Sequence, residues 1–482
     1  MLVHDHTLYI DGEWTEPLAT ATVPVIEAAT EEPLGSIADA GPKDVDRAVE
    51  AARRAQGPWV ATAPAERAEL MERLADSVES RAKELSELVS RQNGMPLALS
   101  EQANVTALAG TLRYYAALAR AGFDDETRTA LSYQGHVRIQ REPVGVVAVI
   151  VPWNYPLALT AMKLAPALAA GCTVVLKPAP ETSLDSRLLM EAVAEAGLPA
   201  GVVNLLTGGR DTGEALVRHP GVDKVAFTGS TPAGRAIGAI CGEALKPVTL
   251  ELGGKSAAVV LRDADLSQVI QGLGFLSFVN AGQSCFLNSR VLAPRERYDE
   301  VVDGLAGVAR SFRVGDPLDP STTMGPLVSR RQRERVESYV ESGRSEGARL
   351  VTGGGRPADR PRGWFMEPAV FADVDNAMSV AREEIFGPVV CVIPYHTEEE
   401  AIGIANDSDY GLAGSVWSSD TEHALAVARR IETGSIGLNM WTLDPGSPFG
   451  GWKASGVGKE YGPEGLAAYF RTKSIFVPGE GM

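Results

Sequence analysis

The chain has 482 residues, of which 45% are hydrophobic and 22% charged, and its formal net charge is −17. This composition fits a soluble globular protein with a large core, divided into roughly three domains of about 150 residues. The acidic balance argues against nucleic acid as a partner, because phosphate binding needs a basic surface. The opening "MLVHDHTLYIDGEW" has no basic or apolar leader pattern, so no signal peptide is expected. The longest apolar run, starting at Val144, is too short to span a bilayer. Cys172, Cys241, Cys285 and Cys391 are widely spaced with no C-x-x-C pair. Neither a metal site nor a disulfide framework is therefore expected, and a reducing cytoplasm is the expected compartment.

In chain order, residues 43–91 read as two helices with apolar residues at helical spacing, broken by "NGMP" at Asn93. A further helical stretch runs to about Arg120, and a polar segment follows. "LSYQGHVRIQREP" is extended, and its mixed polar character does not suit a central strand. It reads as a surface hairpin or as an arm reaching another subunit. From Val144 the pattern becomes βαβ, with apolar β-branched runs in "VGVVAVIV", "CTVVLK", "GVVNLLTG", "DKVAFTG" and "PVTLELGG". Helix-length segments 157–170, 182–196, 211–218 and 231–240 lie between them. Apolar strands alternating with helices predict a parallel sheet covered on both faces, with ligands at the carboxyl ends of the strands. A second α/β region begins near Ser256, with strands in "SAAVVL", "RVLAP", "ARLVTGG", "FGPVVCVIPY" and "GSIGLNM". Its helices fall at 265–279, near 298–310 and at 329–346.

Several strand ends carry residues with chemical potential. In "VPWNYP", Asn154 is either a helix cap or an amide donor to an oxyanion. In "LKPAPET", Lys177 is a solvated lysine or a ligand for ribose or phosphate. In "FTGSTPAGR", Gly229 and Ser230 open a helix whose N-terminus suits a diphosphate, although the spacing departs from G-x-G-x-x-G. In "LELGGK", Glu251 lies in an apolar strand, where a carboxylate needs a partner or a raised pKa. "NAGQSC" ends in Cys285, either an inert buried thiol or a nucleophile. No histidine lies near it in sequence; the nearest are His219 and His396. "EEIFGPV" and "PFGGWKASGVGKEYGPEGL" are dense in Gly and Pro and suggest backbone held close to a ligand.

The ordered set "PWNYP", "LKPA", "FTGS", "LELGGK", "NAGQSC", "EEIFGPV" and "PFGGWKASG" resembles the NAD(P)-dependent aldehyde dehydrogenase superfamily. The likeness runs from "YIDGEW" to "TKSIFV", nearly the whole chain. It implies an α/β fold with a Rossmann-like cofactor domain (1–123 and 143–254) and an α/β catalytic domain (255–454). A small β oligomerisation arm (124–142 and 470–482) and a returning segment (455–469) complete it. By the same resemblance Cys285 is the nucleophile, Glu251 the general base and Asn154 the oxyanion donor. Lys163 and Glu460 match a proton-relay network. The cofactor would meet Pro152, Trp153, Lys177, Pro180, Gly229, Ser230, Leu252, Glu384 and Phe386. Lys177 would bind the adenosine ribose, Gly229 and Ser230 the diphosphate, and Glu384 the nicotinamide ribose, with Phe386 beside the ring. The expected cofactor is NAD. Pro180 stands where NAD-preferring relatives often carry a glutamate that repels a 2′-phosphate, which leaves NADP open too.

The implied reaction oxidises an aldehyde to its acid through a thiohemiacetal and a thioester on Cys285. The positions of the relatives' substrate tunnel match Tyr155, Met162, Phe286, Trp441 and Leu443, with no arginine to grip a carboxylate. An uncharged aliphatic, terpenoid or aromatic aldehyde is therefore expected, handled by a homodimer or homotetramer. The rival readings are a CoA-acylating semialdehyde dehydrogenase, which generally lacks the glutamate, and a non-catalytic protein on the same fold. A cofactor-free thiol hydrolase would need a well-placed histidine.

Overall fold

The computed structural model describes residues 3–123 and 125–479. The β-branched runs form the centre of an eight-stranded sheet. Val146–Ile150, Thr173–Lys177 and Lys224–Thr228 are buried at every position. That burial explains why they read as continuous apolar runs rather than as alternating ones. Across the sheet the parallel strands run Val248–Glu251, Lys224–Thr228, Val146–Ile150, Thr173–Lys177, Val203–Leu205. Chain order reverses at Val146–Ile150, so a crevice opens beyond its carboxyl end, where open α/β sheets bind ligands. Antiparallel strands extend both edges. Leu8–Ile10 pairs with Val203–Leu205, and Gly456–Val457 pairs with Val248–Glu251.

The second sheet has seven strands in the order Arg349–Thr352, Ala369–Ala372, Val389–Tyr395, Asn288–Pro294, Ser256–Val260, Gly414–Trp417, Gly437–Leu438. Every pairing is parallel except that of the edge strand Arg349–Thr352. Helices Leu266–Phe278, Tyr298–Ser311 and Arg330–Ser345 supply its crossovers. The fold is thus a Rossmann-like unit beside a second α/β unit.

Four local expectations change. The long helix expected to end near residue 91 breaks at Arg81 (φ −103°, ψ 13°), giving Pro64–Ser80 and Ala82–Asn93. The Arg81 guanidinium there bonds Ser77 and Glu195. "GSIGLNM" contributes only the two-residue strand Gly437–Leu438, because Asn439 turns to φ 56°. Ala369–Ala372 is a buried strand without an alternating signature. Finally, Gly135–Pro143 is central after all, in a three-stranded antiparallel sheet between Glu126–Thr129 and Phe470–Pro478. Most of this small sheet is exposed or half-buried, so its central strand accommodates Arg138 and Arg141. Residues 124 and 480–482 of the expected arm lie outside the described residues.

Among the described residues, no helix is long and apolar enough to cross a membrane. Helix Pro156–Ala170 runs from the crevice into the core and carries fully buried Leu164. Leu164→Ala should cost about 2–5 kcal/mol, as buried Leu-to-Ala truncations do. The check is the midpoint of thermal or urea unfolding, which should fall clearly below that of the native chain.

Candidate active site

The stretch before Cys285 adopts an unusual backbone. Asn280 (φ 53°) and Ala281 (φ 51°) are left-handed, and Gly282 (φ 75°) continues the turn. Each such non-glycine residue carries a cost of about 1–3 kcal/mol. At Gly282 a Cβ would lie 2.0 Å from the Gly387 carbonyl carbon, so only glycine fits between the two loops. Side chains hold the turn. Asn280 Nδ2 donates to the Asn154 carbonyl at 3.0 Å, and Asn154 Nδ2 donates to the Gln283 carbonyl at 3.1 Å. Gln283 Oε1 accepts from the Val328 N–H at 3.0 Å, and Asn93 Nδ2 reaches the Trp153 carbonyl at 2.7 Å. The loops carrying Asn154 and Cys285 are therefore tied directly to each other. A primary amide carries two N–H donors, so the Gln283 contact uses one and leaves the second for a ligand.

Cys285 is half-buried, while the other three cysteines are buried. Burial pushes its thiol pKa up, and the Glu384 and Glu251 carboxylates push it further. On the neighbouring side, a Cβ at Gly254 would lie 2.2 Å from the Cys285 carbonyl oxygen, so "LELGGK" lies flat against the cysteine.

Glu251, the last residue of its strand, is buried, and neither carboxylate oxygen has a hydrogen-bond partner among the described residues. Its pKa lies well above the carboxylate range, chiefly from burial and then from Glu460, against the pull of Lys163 and Lys459. Lys163 and Glu460 form a fully buried ion pair at 2.6 Å. Lys163 Nζ also donates to Thr228 Oγ1 at 2.5 Å. The structure thus gathers Glu251, Lys163 and Glu460 into one buried charged cluster at the sheet's carboxyl end.

The remaining candidates line the crevice at the switch point. Lys177 is buried, donates to the Pro178 carbonyl at 3.1 Å, and has its pKa lowered to about 8 by burial. Ser230 caps helix Thr231–Glu243, its hydroxyl accepting from the Ala233 N–H at 3.4 Å. Gly229 N–H donates to the Glu251 carbonyl at 3.0 Å, and Leu252 packs against Gly234 of that helix. Glu384 Oε1 accepts from the Gly254 N–H at 2.9 Å, and burial raises its pKa to about 7. Helix Arg330–Ser345 fixes this loop. Gln332 donates to the Phe386 carbonyl at 2.8 Å and Arg335 to the Glu384 carbonyl at 2.7 Å. Phe386, itself left-handed at φ 61°, meets Trp153 edge-on at 5.3 Å. Pro152 is half-buried beside Trp153, and half-buried Pro180 opens a short 3₁₀ turn whose Glu181 pairs with Arg331 at 3.4 Å.

These residues fit a dinucleotide. A capped helix N-terminus sits at the switch point for the diphosphate, and Lys177 and Glu384 supply polar side chains for the sugars.

Around Cys285 the wall is aromatic. Phe286 stacks on Trp441 at 4.6 Å with 21° between planes, and lies 6.5 Å from the Tyr155 ring. Trp441 meets Phe449 at 6.3 Å and anchors its indole N–H on Ser435 Oγ at 3.2 Å. Met162 is fully buried, and Leu443 is half-buried. Residue-by-residue reading missed Ser284, whose hydroxyl meets Tyr155 Oη at 2.7 Å, and Thr228. It also missed Asn93, which looked only like a helix breaker in "NGMP". No spacing rule marks such partners, because they come from distant segments.

With this geometry in place, the comparisons are consistent. The model of the aldehyde dehydrogenase family matches residues 14–475, and the chain belongs to that family. It is 51% identical over 478 residues to the geranial dehydrogenase of Castellaniella defragrans, covering 99% of both chains. It matches the structure of a Mycobacterium tuberculosis aldehyde dehydrogenase complexed with NAD+ at TM-score 0.97 and 47% identity, covering 100% of both. An aldehyde dehydrogenase C mutant of Pseudomonas syringae, in complex with NAD+ and octanal, matches at TM-score 0.95 and 41% identity over 98% of each chain. The chain is an NAD-dependent enzyme that oxidises an aldehyde to a carboxylic acid.

The backbone before Cys285 gives a direct test. Gly282→Ala forces a Cβ against Gly387 at positive φ, so it should lower the melting temperature and sharply reduce dehydrogenase activity. Thermal scanning and aldehyde-dependent absorbance at about 340 nm check both effects.

Proposed function

We propose that Cys285 attacks the aldehyde carbonyl, that Asn154 and the Cys285 backbone N–H hold the resulting oxyanion, and that Glu251 activates the hydrolytic water. The reading is carried by the tie between the Asn154 amide and the Cys285 loop, which sets donor and thiol in register. The cofactor, when bound, would supply the hydride acceptor. The residues of the chain do the rest. Asn154 aims its remaining N–H at the charge that develops, where removal of one donor costs about 3–4 kcal/mol. The aromatic wall excludes water from the thiol during attack. Glu251 then takes a proton from water, and the Lys163–Glu460 pair beside it offers a route for that proton. Lys177, Pro180, Gly229, Ser230, Leu252, Glu384, Phe386, Pro152 and Trp153 are assigned to the cofactor. With Pro180 in place of a glutamate three residues after Lys177, NADP is a second candidate cofactor.

The substrate is an uncharged terpenoid, aliphatic or aromatic aldehyde held by Tyr155, Met162, Phe286, Trp441 and Leu443. The stacked Phe286–Trp441 pair beside the thiol supports this, as does the likeness to a geranial dehydrogenase. The eight-stranded sheet, the seven-stranded sheet and the exposed three-stranded sheet support a division of the chain into a cofactor domain, a catalytic domain and an arm. Exposed Ile475 and Phe476 on the arm support assembly of a homodimer or homotetramer. Four free cysteines suit a cytoplasmic enzyme.

Cys285→Ala should abolish aldehyde oxidation while NADH still binds, as followed by fluorescence titration; residual turnover would remove Cys285 from its role. In the native chain, burial holds Glu251 in its protonated form at low pH. The acid limb of thioester hydrolysis should therefore lie well above the ordinary glutamate value of about 4.3. Glu251→Gln should erase that limb in single-turnover measurements. For the substrate, Trp441→Ala should raise KM for geranial and octanal about tenfold or more, since a buried aromatic contributes a few kcal/mol. Activity confined to succinate semialdehyde in an aldehyde panel would contradict the proposed class.

A further inference from the structure

Behind the nicotinamide end of the crevice lies a lysine that the mechanism does not use. Lys255 follows Gly254, whose N–H holds Glu384 Oε1. Its side chain is fully buried, and its Nζ has no hydrogen-bond partner among the described residues. Lys255 lines a small pocket together with Glu384, Phe386, Gly387 and Ser284. Lys255 also lines a second small cavity with Ser256, Arg290, Tyr410 and Thr433. The Ser256 and Thr433 hydroxyls of that second cavity also lack partners. An ammonium without partners in a protein interior is costly unless an opposite charge compensates it. Arg290 beside it offers none, because its guanidinium is already committed to the carbonyls of Lys255, Ile404 and Ala405 and to Asn376.

We propose that Lys255 is a positioning residue for the cofactor, acting through Glu384: its buried ammonium is the counter-charge that keeps the Glu384 carboxylate ionised and facing the nicotinamide ribose. This rests on the reading that Glu384 binds that ribose. The charged and titratable groups around the pair favour the assignment. Glu384 feels Lys255 and Arg335, and in turn acts on Cys285 and Tyr410. Lys255 feels Cys391 first, then Arg290, Glu384 and Glu383. Arg335 is exposed to solvent and already bonded to the Glu384 carbonyl, so Lys255 is the buried cation on this side. Glu384 titrates at about 7 and Lys255 at about 8, both shifted by burial. Raising the pH through 7 ionises Glu384 while Lys255 is still charged. Cofactor affinity should therefore rise on an acid limb near neutrality.

The test measures KM for NAD+ and the affinity for NADH between about pH 6 and pH 9 in the native enzyme, Lys255→Met, Lys255→Gln and Glu384→Gln. Loss of an opposite charge moves a carboxylate upward by about one pH unit or more. The acid limb should move up by that amount in both lysine variants. KM for NAD+ near pH 7 should rise about fivefold or more, while kcat at saturating cofactor changes much less. Lys255→Gln keeps the length and polarity of the stem, so it serves if Lys255→Met does not fold. Glu384→Gln should remove the limb altogether. An unmoved limb in the lysine variants, with Glu384→Gln weakening cofactor binding, would overturn the role of Lys255 alone. Unchanged cofactor binding in Glu384→Gln would overturn the assignment of Glu384 and the proposal with it.

Discussion

The architecture of the site depends on a small amide lattice between two loops from different sheets. Asn280 and Asn154 each donate to the other's loop, and Gln283 anchors the same turn to Val328. These bonds offset the cost of placing Asn280 and Ala281 in a left-handed backbone. Without them, Cys285 and Asn154 would sit on loops free to drift apart, and a misplacement of about 1 Å can cost a hundredfold in rate. The strain is thus compensated by hydrogen bonds next to the reacting centre, and the product is a fixed geometry.

Electrostatics divides the site into two regimes. On one side, three charged side chains share a water-poor pocket, where the Lys163–Glu460 pair is fully buried and Glu251 is unpaired. An unpaired carboxylate there gains basicity from burial, which suits a base that must take a proton from water near neutral pH. On the other side, Glu384 and Lys255 line one pocket, and Phe286, next to Cys285, stacks on Trp441. The same depth that raises Glu251 also raises the Cys285 thiol, with Glu384 and Glu251 adding to it. A bound cationic nicotinamide would oppose that shift and favour the thiolate.

Much of this could be read in the sequence, for physical reasons. Central parallel strands are buried on both faces, so Val146–Ile150 and Thr173–Lys177 stand out as apolar runs. Glu251 was conspicuous because a carboxylate closing such a strand violates the pattern. Other features left no local trace. Ala369–Ala372 is four residues of ordinary composition, made a strand by its neighbours. The break at Arg81 comes from a side chain bonding to a distant glutamate, against good helix propensity on both sides. The left-handed Ala281 runs against the preference of its residue type, and only the tertiary lattice selects it. Ser284 and Thr228 bond to partners far away in the chain, so no spacing could reveal them.

The most direct test of the account is the covalent intermediate itself. Glu251→Gln enzyme mixed with NAD+ and geranial, quenched in acid and mapped by mass spectrometry, should carry a geranoyl adduct on the peptide containing Cys285. The native enzyme treated identically should show little, because hydrolysis clears it. Turnover of the aldehyde with no adduct on Cys285 in the variant, or an adduct on another cysteine, would contradict the account.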